Sequence, residues 1–125
     1  MPRKPSEFVG HPWEFPGGIY RAYCHHVVDG DTFDALVDLG LFQYAYQPFR
    51  LKDYNAYEIN KLAERPQGLL DQLALTRLIA HKPIEIRTFK DAMSFDRFIA
   101  TVFVKVDGNL VDVVQYLRDA GYGKH

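Results

Sequence analysis

Residues 19–37 read IYRAYCHHVVDGDTFDALV, and this stretch decides the fold. It contains two runs, starting at Ile19 and at Phe33, in which successive side chains alternate in polarity. Alternation with a period of two is typical of β-strands that bury one face. Between the runs, residues 29–32 (Asp-Gly-Asp-Thr) have the composition of a turn or bend. The stretch therefore predicts two strands joined by a turn, with the second strand ending before Gly40.

A third aromatic-rich run follows directly. It extends from about Phe42 to Leu51 and predicts a strand that pairs with the second strand in a hairpin around Gly40. Residues 52–66 are mixed in polarity and end at Pro66, so we expect them to form a loop.

The segment Gly68–His81 is the best candidate for a long helix, because apolar residues recur at helical spacing and Pro83 follows. The residues on the predicted apolar side are Leu70, Leu73, Ala74 and Leu78. The pattern places Asp71, Gln72 and Arg77 outside that side, facing solvent.

Two further strands and a closing helix complete the chain. The fourth strand begins at Ile84, and the fifth covers Phe98–Val106, which is rich in β-branched and aromatic residues. Residues 107–108 (Asp-Gly) predict a hairpin-type turn. Asp112 is placed to cap a helix that ends near Gly121.

The order of these elements predicts the fold class. Five short strands with a helix between the third and fourth, and a short C-terminal helix, are typical of an α+β, mainly β chain that forms a five-stranded OB-type barrel. We assign this domain to residues 18–125. Residues 1–17 contain four prolines, which lack amide donors, and we interpret them as an irregular N-terminal arm.

Composition narrows the class of protein. The 125 residues are enough for one domain, and 47% hydrophobic with 25% charged residues exclude disorder and coiled coils. Cys24 is the only cysteine, so no disulfide framework and no disulfide-linked partner are expected. No signal peptide or membrane-spanning run is visible, which favours a cytoplasmic protein without membrane contacts. The net charge of −1 is not that of a protein that coats nucleic acid electrostatically.

Four blocks of sequence hold the residues most suited to chemistry. They read VVDGDT over residues 27–32, FRL over 49–51, YNAYE over 54–58 and FDR over 95–97. This pattern resembles the staphylococcal-nuclease-like (thermonuclease) family, whose members carry Asp-Gly-Asp-Thr, Arg-Leu-x-x-x-Asp-x-Pro-Glu and Tyr-Gly-Arg in the same order. The resemblance extends over residues 19–124 and includes the Asp-Gly turn and the closing helix.

The resemblance implies a site for one calcium ion. Asp31 would supply a carboxylate ligand, and Asn55 stands where the family has its second metal-binding aspartate. The backbone carbonyl of Ala56 would be a further oxygen ligand. Calcium accepts such oxygen ligands in irregular geometry.

The resemblance also implies the residues of catalysis. Arg50 and Arg97 would hold the scissile phosphate and stabilise its developing charge, and Glu58 would orient or deprotonate the attacking water. The implied activity is calcium-dependent hydrolysis of phosphodiester bonds in DNA or RNA, with little sequence preference and with single strands favoured. The oligomeric state is not indicated.

Departures from the family pattern support two alternatives. Asn55 is neutral and should bind calcium more weakly than aspartate, unless Asp53 supplies the missing charge. Tyr57 replaces a proline, and Phe-Asp at residues 95–96 replaces Tyr-Gly. One alternative is a catalytically weakened module that binds nucleic acid or a protein. The other is a structural barrel whose acidic residues serve only turns.

Two other groups of residues, a Cys-His-His cluster and three tyrosines, have simpler structural explanations. Cys24, His25 and His26 are adjacent but lack the spacing of zinc ligands, and neighbouring strand residues point to opposite faces. Three tyrosines could stack on bases, although strand aromatics more commonly pack in the core or in cross-strand pairs: Tyr44, Tyr46 and Tyr54.

Overall fold

The computed structural model describes residues 18–90 and 98–124, and it places six strands and two helices in them. The strands are β1 (Ile19–Asp29), β2 (Thr32–Gly40), β3 (Gln43–Leu51), β4 (Pro83–Lys90), β5 (Phe98–Val106) and β6 (Asn109–Asp112). The helices are α1 (Arg65–Ile79) and α2 (Val113–Asp119). The N-terminal arm (1–17), the segment 91–97 with Arg97, and residue 125 lie outside the described residues.

Five of the strands close into a barrel. β1 pairs antiparallel with both β2 and β4. The pairs β2–β3 and β4–β5 are also antiparallel. The barrel closes where Phe49–Leu51 runs parallel to Phe98–Ala100. The mainly β composition and the position of α1 between β3 and β4 are therefore confirmed.

The β2–β3 hairpin also forms as predicted, and its turn has a distinctive backbone. Gly40, Leu41 and Phe42 all have positive φ angles, of 79°, 54° and 59°. Glycine adopts this left-handed region without the steric cost that Leu41 and Phe42 incur. Because the turn uses Phe42, β3 begins one residue later than expected, at Gln43.

A sixth strand is present where five were expected. After a turn at Asp107 and Gly108, both with positive φ, the chain pairs again with β5 as the short strand β6. Asp112 ends β6 and caps α2, since its carboxylate accepts from the amides of Val114 at 2.9 Å and Gln115 at 3.2 Å. The predicted turn and cap are confirmed, and the number of strands was wrong by one.

Helix α1 starts and ends earlier than predicted. It begins at Arg65 rather than Gly68 and ends at Ile79. Pro66 was interpreted as the end of a loop, but it lies in the first helical turn. Proline is tolerated there because amides at the start of a helix have no intrahelical partner.

The predicted apolar side of α1 was right only in part. Leu78 is buried and Ala74 packs against the core, as predicted. Leu70 and Leu73, however, are 51% and 43% exposed, and Asp71 is only 3% exposed. The fully buried side chains of this helix are those of Leu75 and Ile79. Apolar residues occur on every side of this helix, so periodicity alone does not select the buried face. Contacts with the rest of the fold select it instead.

The core fills the barrel between β2, β3 and the helices. Phe33 and Phe49 are opposite each other in the strand register, and their rings stack with centroids 5.5 Å apart. Leu75 of α1 and Leu117 of α2 are buried in the same cluster. In residues 18–90 and 98–124, neither helix is long and apolar enough to cross a membrane.

Cys24 lies in this core, and burial raises the pKa of its thiol to about 11. At pH 8 we expect iodoacetamide to modify the native protein at least about a hundredfold more slowly than the urea-unfolded chain, because the thiolate is the reacting form. Mass spectrometry over time measures both rates. Rapid stoichiometric labelling of the native protein would contradict the raised pKa of the buried thiol.

The free energy of unfolding should also fall above about pH 9, because only the unfolded chain loses the thiol proton there.

Candidate functional site

A polar cleft of about 570 Å³ opens beside the β1–β2 turn. Its walls come from that turn, the end of β3, the loop after β3 and the segment after α2. The ionisable and amide side chains along it are Asp29, Asp31, Arg50, Asn55, Tyr57, Glu58, Asn60 and Lys124. The structure thus brings together every sequence-predicted site residue that lies within the described ranges.

Asp31 is fixed by the turn that holds it. Its backbone N–H donates to the Asp29 carboxylate at 3.1 Å, and its backbone carbonyl accepts from the Leu51 amide at 2.9 Å. Its side chain accepts from the Thr32 hydroxyl at 3.1 Å and from the Ala56 amide at 3.0 Å. The Asp31 carboxylate therefore links the turn to the loop after β3, and these hydrogen bonds fix its orientation.

Arg50 reaches the cleft because it pairs with Thr32 in the β2–β3 ladder. Its guanidinium lies 3.7 Å from the Asp31 carboxylate and donates a hydrogen bond to the side-chain oxygen of Asn55. Asp31 and Arg50 therefore meet through the β2–β3 hairpin, and Asn55 lies only five residues after Arg50. A guanidinium fork is suited to binding a phosphate, although here it is paired with Asp31 and Asn55.

Glu58 lies at the outer side of the cleft, with its side chain half-exposed. Its backbone amide donates to Glu64 at 3.3 Å, and its carboxylate lies 3.7 Å from the Lys61 ammonium. The carboxylate is accessible to solvent, as a residue that orients water must be.

Asp71 stabilises the loop between β3 and α1, although the sequence pattern placed it outside the apolar side of the helix. It is a buried carboxylate on α1 that accepts from the amide of Tyr57 at 2.9 Å and from the amide of Gly123 at 3.2 Å. One buried side chain thus fastens the loop before Glu58 and the segment after α2. An aspartate inside an apolar helical pattern was the only sequence signal for this role.

Gly30 allows the turn to approach both the loop and α1. A Cβ added at Gly30 would lie 2.5 Å from the Ala56 Cβ and 2.6 Å from the Asp71 Cβ. The turn predicted at Asp-Gly-Asp is present between β1 and β2, and Gly30 is needed in it for close packing beside the site.

We expect Gly30→Ala to lower the free energy of unfolding by about 2 kcal/mol, because overpacking a close contact between backbone elements forces them apart. Urea denaturation monitored by circular dichroism measures the change. Gly40→Ala is the control for the added methyl group in open space, although its positive φ carries its own cost. Unaltered stability of Gly30→Ala would show that the turn does not pack tightly.

Lys124 also lines the cleft and was not predicted, and it forms an ion pair with Glu64. The Lys124 ammonium lies 2.6 Å from the Glu64 carboxylate, and the Lys124 amide donates to the Asn55 carbonyl at 2.7 Å. These residues are 60 positions apart in the chain, and no motif in the sequence connects them.

The oxygen atoms around the cleft have the chemistry that calcium prefers. Asp29 and Asp31 face the same cleft, and burial together with the Asp31 carboxylate raises the pKa of Asp29 to about 6. Asn55 offers an amide oxygen, which Arg50 currently engages. Among the described residues, no three His, Cys, Asp or Glu side chains converge on one point. The hypothesis that Asp53 joins this set is not supported, since Asp53 does not line the cleft.

The tyrosines divide between the surface and the core. Tyr44 and Tyr46 are exposed on β3, on the same side of the strand as Arg50. Tyr54 is buried, and its hydroxyl has no hydrogen-bond partner within residues 18–90 and 98–124. Cys24 is buried and His25 is exposed, as expected for neighbours on a strand.

Comparison with known proteins adds no assignment: no family model matches the chain, and no curated protein matches its sequence. A functional hypothesis must therefore rest on the cleft and its residues.

Proposed function

We propose that the protein is a calcium-dependent nuclease that hydrolyses phosphodiester bonds of DNA or RNA, built on an OB-type barrel of the staphylococcal-nuclease-like kind. The convergence of Asp31, Arg50 and Asn55 on one polar cleft carries this proposal. The strand order, in which β1 neighbours β2 and β4 while β3 neighbours β5, is consistent with the OB type.

In this proposal each side chain has a chemical task. Arg50 neutralises one phosphate oxygen and, together with Arg97, stabilises the charge that develops on the phosphate. Glu58 orients the attacking water from the solvent side and accepts its proton. Asp31, the Asn55 amide oxygen and the Ala56 carbonyl would hold the calcium ion, which supplies charge neutralisation when bound.

Single-stranded substrates fit the surroundings of the cleft best. The exposed rings of Tyr44 and Tyr46 continue along β3 from Arg50, where unpaired bases could stack on them. The carboxylates near the cleft and the near-neutral net charge do not favour a broad electrostatic surface for duplex DNA.

The second candidate is a module of the same fold that binds nucleic acid without cleaving it. One observation favours it: Arg50 donates to Asn55 instead of being free for a phosphate, and Asn55 replaces a charged ligand. In that case the cleft would bind single strands but would not need calcium.

The deciding experiment is digestion of single-stranded DNA by the purified protein in calcium, in magnesium and in chelator. We expect cleavage in calcium that stops on chelation, because the phosphate charge needs a divalent cation. Asn55→Asp should tighten calcium binding about tenfold, measured by titration calorimetry, because it restores one negative ligand.

Arg97→Ala, purified in parallel, controls for contaminating nuclease. Cleavage that survives in Arg97→Ala or in chelator would contradict the proposed mechanism. Binding of the DNA without cleavage in any metal would favour the second candidate.

A further inference from the structure

Lys124 reaches the cleft from a segment far from the four sequence blocks. Two backbone contacts fix this segment: the Gly123 amide donates to Asp71 at 3.2 Å, and the Lys124 amide donates to the Asn55 carbonyl at 2.7 Å. Its ammonium lies 5.6 Å from the centre of the Tyr57 ring. The fold therefore fixes the backbone of Lys124 in the lining of the cleft.

Lys124 is the second cation of the cleft, and its present partner can be exchanged. Among the described residues that line the cleft, Arg50 and Lys124 carry positive charge. Arg50 is engaged by Asp31 and Asn55, and Lys124 pairs with Glu64, and both cations are partly exposed. Exposed ion pairs add little to stability, and lysine is a compact charge on a flexible stem.

We propose that Lys124 is an additional phosphate-binding residue, which pairs with Glu64 in the free protein and turns to a second phosphate of a bound strand. This inference rests on the proposed function and extends it. Arg50 holds one phosphate, and Lys124 holds another phosphate of the same chain. Glu64 competes with the nucleic acid for the ammonium, so it weakens binding.

Salt dependence separates this role from a structural one. Each phosphate contact on a single strand contributes about 0.7 to the slope of log affinity against log salt, because a counterion is released. Loss of one contact therefore weakens binding about fourfold near physiological salt. A residue that only orders the loop would change affinity without changing the slope.

The experiment measures binding of a fluorescent single-stranded oligodeoxynucleotide by anisotropy over a range of salt concentrations. Binding is measured under two conditions. The first uses the ordinary strand in chelator, and the second uses a cleavage-resistant phosphorothioate strand in calcium. We expect Lys124→Met to lower the slope by about 0.7 and Lys124→Arg to preserve it. Glu64→Gln should tighten binding, the opposite of Lys124→Met. Lys105→Met removes an exposed lysine of β5 outside the cleft and serves as the matched control.

The outcomes separate the two proposals. If the wild-type protein binds but Lys124→Met leaves the slope unchanged, the role of Lys124 is wrong and the proposed function stands. If Lys124→Met and Glu64→Gln weaken binding equally, the pair is structural, and this inference is again overturned. If the wild-type protein binds no strand under either condition, both proposals fail.

Discussion

Arg50→Ala is expected to lower the rate constant for cleavage of single-stranded DNA by about a thousandfold. Among the described residues, Arg50 is the arginine that lines the cleft, and its guanidinium lies 3.7 Å from the Asp31 carboxylate. Removing one preorganised donor to a developing oxyanion costs about a hundredfold to a thousandfold, and arginines that stabilise phosphoryl transfer contribute at the upper end or above. Single-turnover cleavage of a labelled oligonucleotide in calcium measures the loss.

Two further variants test whether the loss is specific to the Arg50 guanidinium. Arg21→Ala removes an exposed arginine of β1 outside the cleft and should cleave at the wild-type rate. Arg50→Lys keeps the charge but loses the forked geometry, so it should recover only a small part of the activity. Because the Arg50 ion pair is partly exposed, its loss should change the free energy of unfolding by about 1 kcal/mol or less. Near-normal cleavage by Arg50→Ala would remove Arg50 from the mechanism.

The largest effect on stability is expected for Asp71→Ala, at about 3 kcal/mol lost from the free energy of unfolding. Asp71 accepts hydrogen bonds from the amides of Tyr57 and Gly123, and both amides would lose their partner. A buried donor without a partner costs about 1 to 3 kcal/mol. Urea denaturation at neutral pH measures the difference.

Asp119→Ala is the matched control, since Asp119 is an exposed aspartate near the end of α2. It should change stability by about 0.5 kcal/mol or less. Asp71→Asn should fall between the two, because it keeps one acceptor oxygen and turns an amide group toward the other N–H. If Asp71→Ala were as stable as Asp119→Ala, the two hydrogen bonds would not hold the loop and the segment after α2.

Much of the barrel could be predicted because its signals are local. The bounds of β5, the turn at residues 107–108 and the cap at Asp112 follow from residues within a few positions of one another. The β2–β3 hairpin is also a local feature, because Gly40 marks its turn. The fourth strand, β4, begins at Pro83, one residue before the predicted start at Ile84. The short strand β6 was missed, because its four residues are too few to show a period of two.

The buried face of α1 was predicted only in part, for a physical reason that Asp71 illustrates. A local pattern assumes that polar residues face water, but a carboxylate can be buried where amides from other segments satisfy it. Those amides come from positions 14 and 52 residues away in the chain. Leu70 and Leu73, which the pattern placed inside, are left half-exposed as a result.

The amino-acid sequence alone predicted five of the six described strands and the turns between neighbouring strands. The resemblance of four sequence blocks to a known family pointed to Asp31, Arg50, Asn55 and Glu58 as one candidate site. The tertiary structure decided how these residues meet, including the hydrogen bond from Arg50 to Asn55. It also brought Lys124 to the same cleft, paired it with Glu64 and buried Asp71 against the amides of two distant segments. Strand periodicity and turn chemistry act between near neighbours, whereas ion pairs and buried hydrogen bonds join residues that only the folded chain places within 3 or 4 Å.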